Sequence, residues 1–235
     1  MNELNALHVE ELCVDVNHKP FLNGISFSLE QGTVKALVGH NGAGKSTLLK
    51  AILGTLPKSA GKVIINETYD QDESFLTFKQ MVSYLPEEPL LLTELTMMQH
   101  FQLYGKSYQI AEKRLYERLE RLVEGFEMQE QLHDYPESLS KGMRQKAQMI
   151  CALLPDVPIL LIDEPFMGLD VHAMHFFEKI IEEKSVKGTS ILLTTHQLDR
   201  VKTIANSFIV LQEGRLKASG PIADFKTIPR RSTND

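Results

Sequence analysis

The chain has 235 residues, of which 43% are hydrophobic and 24% are charged, and this composition is typical of a globular protein of one or two domains. Its 25 basic and 31 acidic side chains give a formal net charge of −6, which argues against a nucleic-acid partner bound mainly through its phosphates. The two cysteines lie far apart, without a CxxC motif or a Cys/His cluster, so no disulfide scaffold or zinc site is indicated.

The first ten residues are polar and acidic, whereas a signal peptide needs a basic segment followed by an apolar one. The longest apolar runs are also much shorter than the roughly 18 residues that span a bilayer. We therefore expect a cytoplasmic chain that associates with a membrane only through a partner.

The first predicted elements are two strands at 7–16 and 20–30, where apolar and polar residues roughly alternate around a turn at 17–20. We expect these strands to form a half-exposed antiparallel β-layer. A short apolar strand follows at 34–38, and after a Gly-rich turn a helix is predicted over about 45–53, ending near Gly54.

The rest of the chain predicts a mostly parallel α/β sheet with a helical insertion, because strands alternate with helices except in one long segment. Further strands are predicted at 63–66, 81–85, 159–163, 190–195 and 208–212, and further helices at about 96–104, 109–124, 141–154, 172–186 and 197–205. We expect a single domain that consists of an α/β core with its β-layer (1–88 and 157–228), a helical subdomain (89–156) and a short polar tail (229–235).

The segment from Gly39 to Ser46 matches the pattern GxxxxGK[ST], and it stands between a predicted strand and a predicted helix. Glycines at such a turn let backbone N–H groups surround phosphate oxygens, and the helix N-terminus adds a partial positive charge. Lys45 is expected to reach the β- and γ-phosphates, and Ser46 to ligate Mg²⁺. The candidate phosphate-binding residues are Gly39, Asn41, Gly42, Ala43, Gly44, Lys45, Ser46 and Thr47.

A second motif is the apolar strand from Pro158 to Ile162, which ends in Asp163 and Glu164. In P-loop enzymes, carboxylates at such a strand end hold Mg²⁺ and a nucleophilic water beside the phosphates. We expect Asp163 to assist the metal shell and Glu164 to orient or deprotonate the attacking water.

In this context the segment LSKGMRQ at 139–145 resembles the LSGGQ signature of ATP-binding cassette (ABC) transporters, and nearly the whole chain is similar to their nucleotide-binding subunit. Lys141 and Met143 depart from that consensus. Ser140 is a good N-cap, so the helix after it offers a hydroxyl, free N–H groups and a positive dipole end to an anion. The resemblance implies that Ser140 and Gly142 act on ATP held by the opposite subunit.

Two smaller elements extend the resemblance. The segment Gly168-Leu169-Asp170 resembles the D-loop, which implies that Asp170 contributes to the nucleotide site. His196 follows the strand predicted at 190–195 and matches the switch histidine that contacts the γ-phosphate and the catalytic water in the family. The fold that the resemblance implies is a P-loop NTPase (RecA-like) core with an antiparallel β-layer and an inserted helical subdomain.

Glu87 departs from the family pattern, because it stands in the segment YLPE at 84–87, where the family has a glutamine that meets Mg²⁺. A carboxylate oxygen is still a good Mg²⁺ ligand, so the resemblance implies Ser46, Glu87 and Asp163 as metal ligands. In the family, the groove beside this loop receives a helix of the membrane subunit. We expect the apolar residues of the segment 90–101 to line it, namely Leu90, Leu91, Leu92, Leu95, Met97, Met98 and Phe101; the alternative is that all of them belong to the internal core.

Val16 departs from the family pattern as well, since it aligns with the aromatic residue that stacks on adenine. A valine has no π-face, so we expect weak discrimination between ATP and GTP. His18 and Phe21 are the two alternatives that would supply a ring at this end of the site.

Together the motifs resemble the bacterial ABC-2-type exporter branch, near Ecs-type subunits. The resemblance implies a subunit that hydrolyses ATP, dimerises head to tail around two ATP molecules and drives export through a separate membrane permease at the inner face of the cell membrane. The second nucleotide-binding subunit would be an identical or a different chain. The alternative is a soluble ABC ATPase outside transport, for example in iron–sulfur assembly, whereas a catalytically dead regulator is disfavoured by the presence of Glu164 and His196.

Overall fold

The computed structural model describes residues 5–196 and 198–225, so the tail expected at 229–235 lies outside the described residues. The strands are β1 Asn5–Val16, β2 Lys19–Glu30, β3 Val34–Val38, β4 Ala60–Ile65, β5 Tyr69–Asp70, β6 Val82–Leu85, β7 Ile159–Asp163, β8 Ser190–Thr194, β9 Ser207–Gln212 and β10 Arg215–Pro221. The α-helices are α1 Lys45–Leu53, α2 Phe75–Gln80, α3 Met97–Ser107, α4 Glu112–Gly125, α5 Lys141–Leu153, α6 Val171–Val186 and α7 Leu198–Ile204.

The larger sheet has six strands in the order β10-β9-β3-β8-β7-β6. The last five of these strands are mutually parallel, whereas β10 pairs antiparallel with β9. Every residue of β7 and β8 is buried, as expected for parallel strands with both faces covered. The mostly parallel α/β core predicted from the sequence is therefore confirmed.

The smaller sheet is antiparallel, with the order β2-β1-β4-β5, and it contains the β-layer predicted from the first two strands. The strand at 63–66 was predicted among those of the parallel sheet, but it is part of β4, which pairs antiparallel with β1. The hairpin between β1 and β2 turns through Asn17 and His18, and both residues have a positive φ, at 53° and 58°. A two-residue turn of this kind matches the twist of the flanking strands. The turn therefore joins the end of β1 directly to the start of β2, with Val16 paired to Lys19.

Side chains on opposite faces of the large sheet belong to two separate buried clusters. On β7, Leu160 and Ile162 pack in the cluster that includes α5 and α6, whereas Ile159 and Leu161 pack in the cluster that includes α1 and the small sheet. The large sheet is thus the middle of three layers. Its parallel strands all end at one edge, which is where ligands bind in sheets of this kind.

The regular elements between β6 and β7 are all helical: α3, α4, a short 3₁₀ turn at Pro136–Ser138 and α5. Thr96 and Gln99 form a reciprocal capping box at the start of α3. Helix α4 starts at Glu112 rather than at 109, because Gln109 has a φ of 54° and ends the preceding turn. Within the described residues, no helix combines the length and hydrophobicity needed to cross a membrane.

Candidate functional site

The loop between β3 and α1 follows a path that requires glycine at three positions. Gly42 and Gly44 have φ values of 79° and 106°, which L side chains rarely adopt, and Gly44 is also the N-cap of α1. A Cβ atom at Gly39 would lie 2.4 Å from the carbonyl oxygen of Leu211 on β9. The glycines of the motif therefore shape the loop and let it pack against the neighbouring strand.

Lys45 begins α1 and is buried at the base of this loop. Its ammonium group donates a hydrogen bond to the carbonyl oxygen of Gly39 at 3.0 Å and lies 3.8 Å from Oε1 of Glu164. A buried cation is stable only with such partners. The structure thus holds a positive charge next to the loop, where the sequence predicts phosphate binding.

Asp163 is the last residue of β7 and is buried next to Thr194, its register partner on β8. The Thr194 hydroxyl donates a hydrogen bond to Oδ1 of Asp163 at 2.5 Å and accepts one from the backbone N–H of Glu164 at 3.0 Å. One side chain therefore positions both carboxylate-bearing residues. The sequence analysis did not identify Thr194, and the available signal is a hydroxyl residue at the end of a buried strand.

Glu164 leaves the strand with a φ of 45°, a left-handed conformation that is unfavourable for a side chain with a Cβ atom. Its carboxylate Oε2 accepts a hydrogen bond from the backbone N–H of His196 at 3.1 Å and lies 2.9 Å from Nδ1 of the same histidine. The strained backbone thus brings Glu164 to both Lys45 and His196. These are the three residues for which the sequence predicts a catalytic role.

A single open crevice at this edge of the sheet contains most of the predicted nucleotide-binding residues. Its lining among the described residues is Phe21, Asn41, Gly42, Gly44, Lys45, Ser46, Thr47, Glu87, Glu164, Met167 and His196. Gly39, Ala43 and Asp163 belong to the same chain segments, but they are buried and do not line the crevice. The structure therefore brings the P-loop, the strand-end carboxylate, Glu87 and the histidine to one place.

Tyr84 on β6 lies near two of the carboxylates predicted to belong to the site. Burial raises the pKa of the Tyr84 hydroxyl, and the nearby carboxylates of Asp163 and Glu87 raise it further. The hydroxyl is therefore neutral at physiological pH and remains a hydrogen-bond donor beside two acids.

Besides Gly39, Ala43 and Asp163, four further predicted site residues lie outside the lining of the crevice, namely Val16, Ser140, Gly142 and Asp170. Val16 is the last residue of β1, where it pairs with Lys19 and is exposed. Ser140 caps α5 by accepting a hydrogen bond from the Met143 N–H at 3.3 Å.

Gly142 and Asp170 join the start of α5 to the segment that follows Glu164. A Cβ atom at Gly142 would lie 2.8 Å from the carbonyl oxygen of Gly168, so this contact requires glycine. Asp170 caps α6 through the Ala173 N–H at 2.8 Å, and its Oδ2 lies 2.7 Å from Nζ of Lys146 on α5. The Ala173 N–H and the Lys146 ammonium lower the pKa of the Asp170 carboxyl group, which is therefore ionised at neutral pH.

The described residues contain no group of three or more His, Cys, Asp or Glu side chains that would hold a metal ion by themselves. Ser46 and Glu87 line the crevice, and the buried Asp163 directly precedes Glu164, which also lines it. Hydroxyl and carboxylate oxygens are the donors that Mg²⁺ prefers, and Mg²⁺ usually completes its shell with water and phosphate oxygens. The donor set therefore suits a magnesium ion that arrives with a nucleotide.

Comparison with known proteins gives a consistent result. A family model described as "ABC transporter" matches residues 22–167. The Bacillus subtilis (strain 168) protein "ABC-type transporter ATP-binding protein EcsA" is 34% identical over 224 residues, which are 95% of this chain and 90% of that protein. The "SkfA peptide export ATP-binding protein SkfE" of the same organism is 28% identical over 223 residues, covering 95% of this chain and 92% of that protein. A solved structure entitled "Structure of ATP binding subunit of ABC transporter" is 36% identical, with a TM-score of 0.89 over 93% of this chain and 91% of that one.

Proposed function

Because the chain belongs to the ABC transporter family and is an ATP-binding and ATP-hydrolysing subunit, we propose that the crevice between the P-loop and His196 is its ATP site. One observation carries this proposal. Glu164 lies 3.8 Å from the Lys45 ammonium and 2.9 Å from the His196 ring, so a phosphate-binding cation and a base converge at one point. The similarity to EcsA also agrees with the Ecs-type resemblance of the motifs.

The P-loop would hold the phosphates through its backbone N–H groups and the Lys45 ammonium, which now bonds to the Gly39 carbonyl. Mg²⁺ would reduce the negative charge of the phosphates during transfer. The residues that would hold it are Ser46, Asp163 and Glu87, with Asp163 kept in place by the Thr194 hydroxyl. The P-loop residues Asn41, Gly42, Ala43, Gly44 and Thr47 complete the proposed nucleotide contacts.

Glu164 would take the proton of the attacking water on its carboxylate. In the structure this carboxylate is held by the His196 N–H and lies near the Lys45 ammonium. Bound phosphates would attract the ammonium away from Glu164, which frees one carboxylate oxygen for the water. His196 would keep the carboxylate turned toward the crevice and contact the γ-phosphate.

Ser140, Gly142 and Asp170 lie outside the crevice of their own chain, which supports a role toward a second nucleotide-binding subunit. ABC ATP-binding subunits dimerise, and a head-to-tail pair would place the N-terminus of α5 on the ATP of the opposite chain. The second subunit would be an identical or a different chain. Ser140 would contribute its hydroxyl, and the helix would contribute its dipole.

Such subunits work with membrane permease subunits, and we propose a separate permease that exports its substrate, as the name of SkfE describes for that protein. The chain would lie at the cytoplasmic face of the membrane through this contact, with no nucleic-acid partner. A groove next to Glu87 would receive the permease, and it is lined by Leu53, Leu76, Lys79, Gln80, Val82, Tyr84, Pro86, Leu90, Tyr104, Ser107, Tyr108 and Gln148.

This groove differs in part from the one expected from the sequence. Leu90 lines it and is 70% exposed, but Met97 and Phe101 are fully buried in the core. Leu92 is exposed outside the lining of the groove. We propose that residues 1–88 and 157–228 act as the catalytic core and 89–156 as the helical subdomain that carries this groove. The similarity to transporter subunits does not favour the soluble ATPase alternative.

The proposed ATP site is tested by Glu164→Gln, because an amide keeps the shape of the side chain but cannot accept the proton. We expect ATP binding to stay within a few-fold of wild type, hydrolysis to fall by about 10²–10⁴, and an ATP-bound dimer to accumulate in size-exclusion chromatography. Lys45→Ala should instead weaken ATP binding itself. Glu130→Gln, at an exposed position outside the lining of the crevice, is the matched control. Hydrolysis by Glu164→Gln at nearly the wild-type rate would contradict the proposal.

A further inference from the structure

We infer that the cavity between α4, α6 and the turn before β7 binds a ligand through a phosphate monoester or pyrophosphate group, at a site separate from the crevice at Glu164. The cavity has a volume of about 380 Å³, and small-ligand sites typically have about 300–1,000 Å³. No residue that lines this cavity also lines the crevice, so the inference does not depend on the proposed function.

The cavity lies at the edge of the large sheet opposite to the crevice. Asp156 precedes the first residue of β7 by three residues, and Lys187 precedes the first residue of β8 by three residues. Glu164 and His196 in the crevice instead follow the ends of these two strands. A ligand in this cavity would therefore lie about one five-residue strand, roughly 16 Å, away from the crevice.

The lining of the cavity carries an excess of positive charge, although the whole chain has a formal net charge of −6. Its five cationic side chains are Arg114, Arg118, Arg121, Lys184 and Lys187. Its three carboxylates are Glu117, Asp156 and Glu183. The excess of two positive charges, in a chain that is acidic as a whole, favours the binding of an anion at this place.

Asp156 holds two of these cations in place. Its carboxylate pairs with Arg118 and lies 3.5 Å from the Lys184 ammonium. Arg118 also donates a hydrogen bond to the Leu154 carbonyl at 2.8 Å, and Lys184 donates one to the Pro155 carbonyl at 2.9 Å. One carboxylate is therefore shared by two cations, and the turn before β7 positions both of them.

The remaining cations are only partly compensated. Arg121 donates hydrogen bonds to both carboxylate oxygens of Glu183 at 2.7 Å. Arg114, Lys187 and Glu117 form no ion pair within the described part of the chain. Arg114 and Lys187 are also exposed, so their charges are accessible to an anion from solution.

This arrangement of charges is unfavourable without a bound anion. Arg114 and Arg118 are four residues apart on α4, a spacing at which like charges destabilise a helix. Burial lowers the pKa of the Lys184 ammonium, Asp156 raises it, and the positive charges of Arg118 and Lys187 lower it further. A bound anion would reduce the repulsion among these cations.

The types of side chain define the ligand class. An arginine guanidinium presents parallel N–H groups that match two oxygens of a phosphate group, and a lysine adds a compact positive charge. A phosphate monoester carries about 1.5–2 negative charges at pH 7, which is close to the excess of positive charge in the cavity. Free phosphorylated compounds and the headgroup of phosphatidic acid both offer this group.

The first test is calorimetric titration with inorganic pyrophosphate, with Mg²⁺ and saturating ADP present so that the P-loop is filled. The double variant Arg114→Gln/Lys187→Gln should bind pyrophosphate about tenfold or more weakly than wild type, because charge-assisted hydrogen bonds are lost. Glu117→Gln removes the unpaired carboxylate and should bind it more tightly than wild type.

The matched control is the double variant Arg215→Gln/Lys217→Gln, which makes the same charge change at exposed positions on β10 outside this lining. It should bind pyrophosphate as wild type does. Because none of the five substituted side chains forms an ion pair within the described residues, each variant without pyrophosphate should melt within about 2 °C of wild type.

A second measurement distinguishes a lipid headgroup from a free ligand. It is flotation with vesicles of phosphatidylcholine alone, and with vesicles of phosphatidylcholine and phosphatidic acid in a ratio of about four to one. A lipid ligand predicts flotation only with phosphatidic acid, and its loss in Arg114→Gln/Lys187→Gln. A free ligand predicts saturable binding of pyrophosphate without flotation.

Three results would overturn the inference. The first is wild-type protein that binds neither pyrophosphate nor the vesicles with phosphatidic acid. The second is binding by Arg114→Gln/Lys187→Gln that is as tight as that of wild type. The third is an equal loss in Arg215→Gln/Lys217→Gln, which would mean that only the net charge of the chain matters.

Discussion

The Thr194 hydroxyl bonds to both Asp163 and Glu164, so its removal tests how these two residues are held. It donates to Oδ1 of Asp163 at 2.5 Å and accepts from the Glu164 N–H at 3.0 Å. Thr194→Val replaces the hydroxyl with a methyl group of nearly the same size. The change therefore removes two hydrogen bonds and leaves the packing almost intact.

The size of the effect follows from burial. Thr194 is 0% and Asp163 2% exposed, so water cannot readily replace the lost bond to the carboxylate. A hydrogen bond to a charged group contributes about 1.5–3 kcal/mol. Because the Glu164 N–H keeps its hydrogen bond to the Thr194 carbonyl at 3.1 Å, the loss of its bond to the hydroxyl lowers the free energy of unfolding only a little further. For a chain of 235 residues, at about 2–4 °C per kcal/mol, Tm should fall by about 3–12 °C.

The measurement is thermal unfolding without nucleotide, followed by ATPase rates over a Mg²⁺ titration. We expect Thr194→Val to melt earlier and to need more Mg²⁺ for half-maximal rate, because Asp163 is no longer held in place. Thr194→Ser keeps the hydroxyl, so its Tm and its Mg²⁺ requirement should both be close to those of wild type. Thr77→Val, at an exposed position on α2, is the matched control. A Tm and a Mg²⁺ requirement that match this control would refute the assigned role of the hydroxyl.

Two further predictions concern coupling to the permease. Glu87→Gln removes a negative charge from the crevice, so it should change the ATPase rate and the stimulation of that rate by the permease without shifting Tm. Glu88→Gln, at the neighbouring exposed position, is the control and should change none of these three quantities. An unaltered rate and stimulation in Glu87→Gln would contradict the role of Glu87 in coupling. Leu90→Glu places a charge in the proposed docking groove and should abolish co-purification with the permease, and Leu92→Glu, outside that lining, should retain it. Loss of co-purification in both variants, or in neither, would mean that the docking surface lies elsewhere.

Local patterns predicted the elements that carry the chemistry. The strand at Val34–Val38 and the helix at Lys45–Leu53 lie where hydrophobicity and glycine spacing placed them, because both are short segments with strong local signals. The strand that ends at Asp163 is also as predicted, because four consecutive apolar residues before Asp163 strongly favour a buried strand. From these elements the parallel sheet and its ligand-binding edge follow.

Elements with weak patterns were missed. β10 at Arg215–Pro221 is mostly exposed and has no apolar alternation, so its pairing with β9 depends on the tertiary fold. Helix α2 has only six residues, and Phe75 and Leu76 at its start are exposed. A helix of this length has little intrinsic stability, and its sequence gives no periodic signal.

Site features that depend on strand order or register could not be predicted either. Thr194 meets Asp163 only because β8 is the neighbour of β7, which no local pattern encodes. Sequence alone named Phe21 beside His18 as an alternative ring and did not decide between them, whereas the contact of Phe21 with Gly44 of the P-loop places it at the crevice. Sequence identified the residue types that the site needs, and topology determined which of them meet.

The same topology links the crevice to the residues that lie outside it. The chain that leaves the crevice at Glu164 reaches Gly168, whose carbonyl packs against Gly142, and then Asp170, which pairs with Lys146 at 2.7 Å. The start of α5 is therefore fixed to the segment that begins with Glu164, the proposed catalytic base. In the proposed dimer, the N-terminus of α5 contacts the ATP of the opposite subunit. A movement of Glu164 toward bound ATP would therefore shift this N-terminus. Each subunit would thus couple the state of its own ATP site to the site that it completes for its partner.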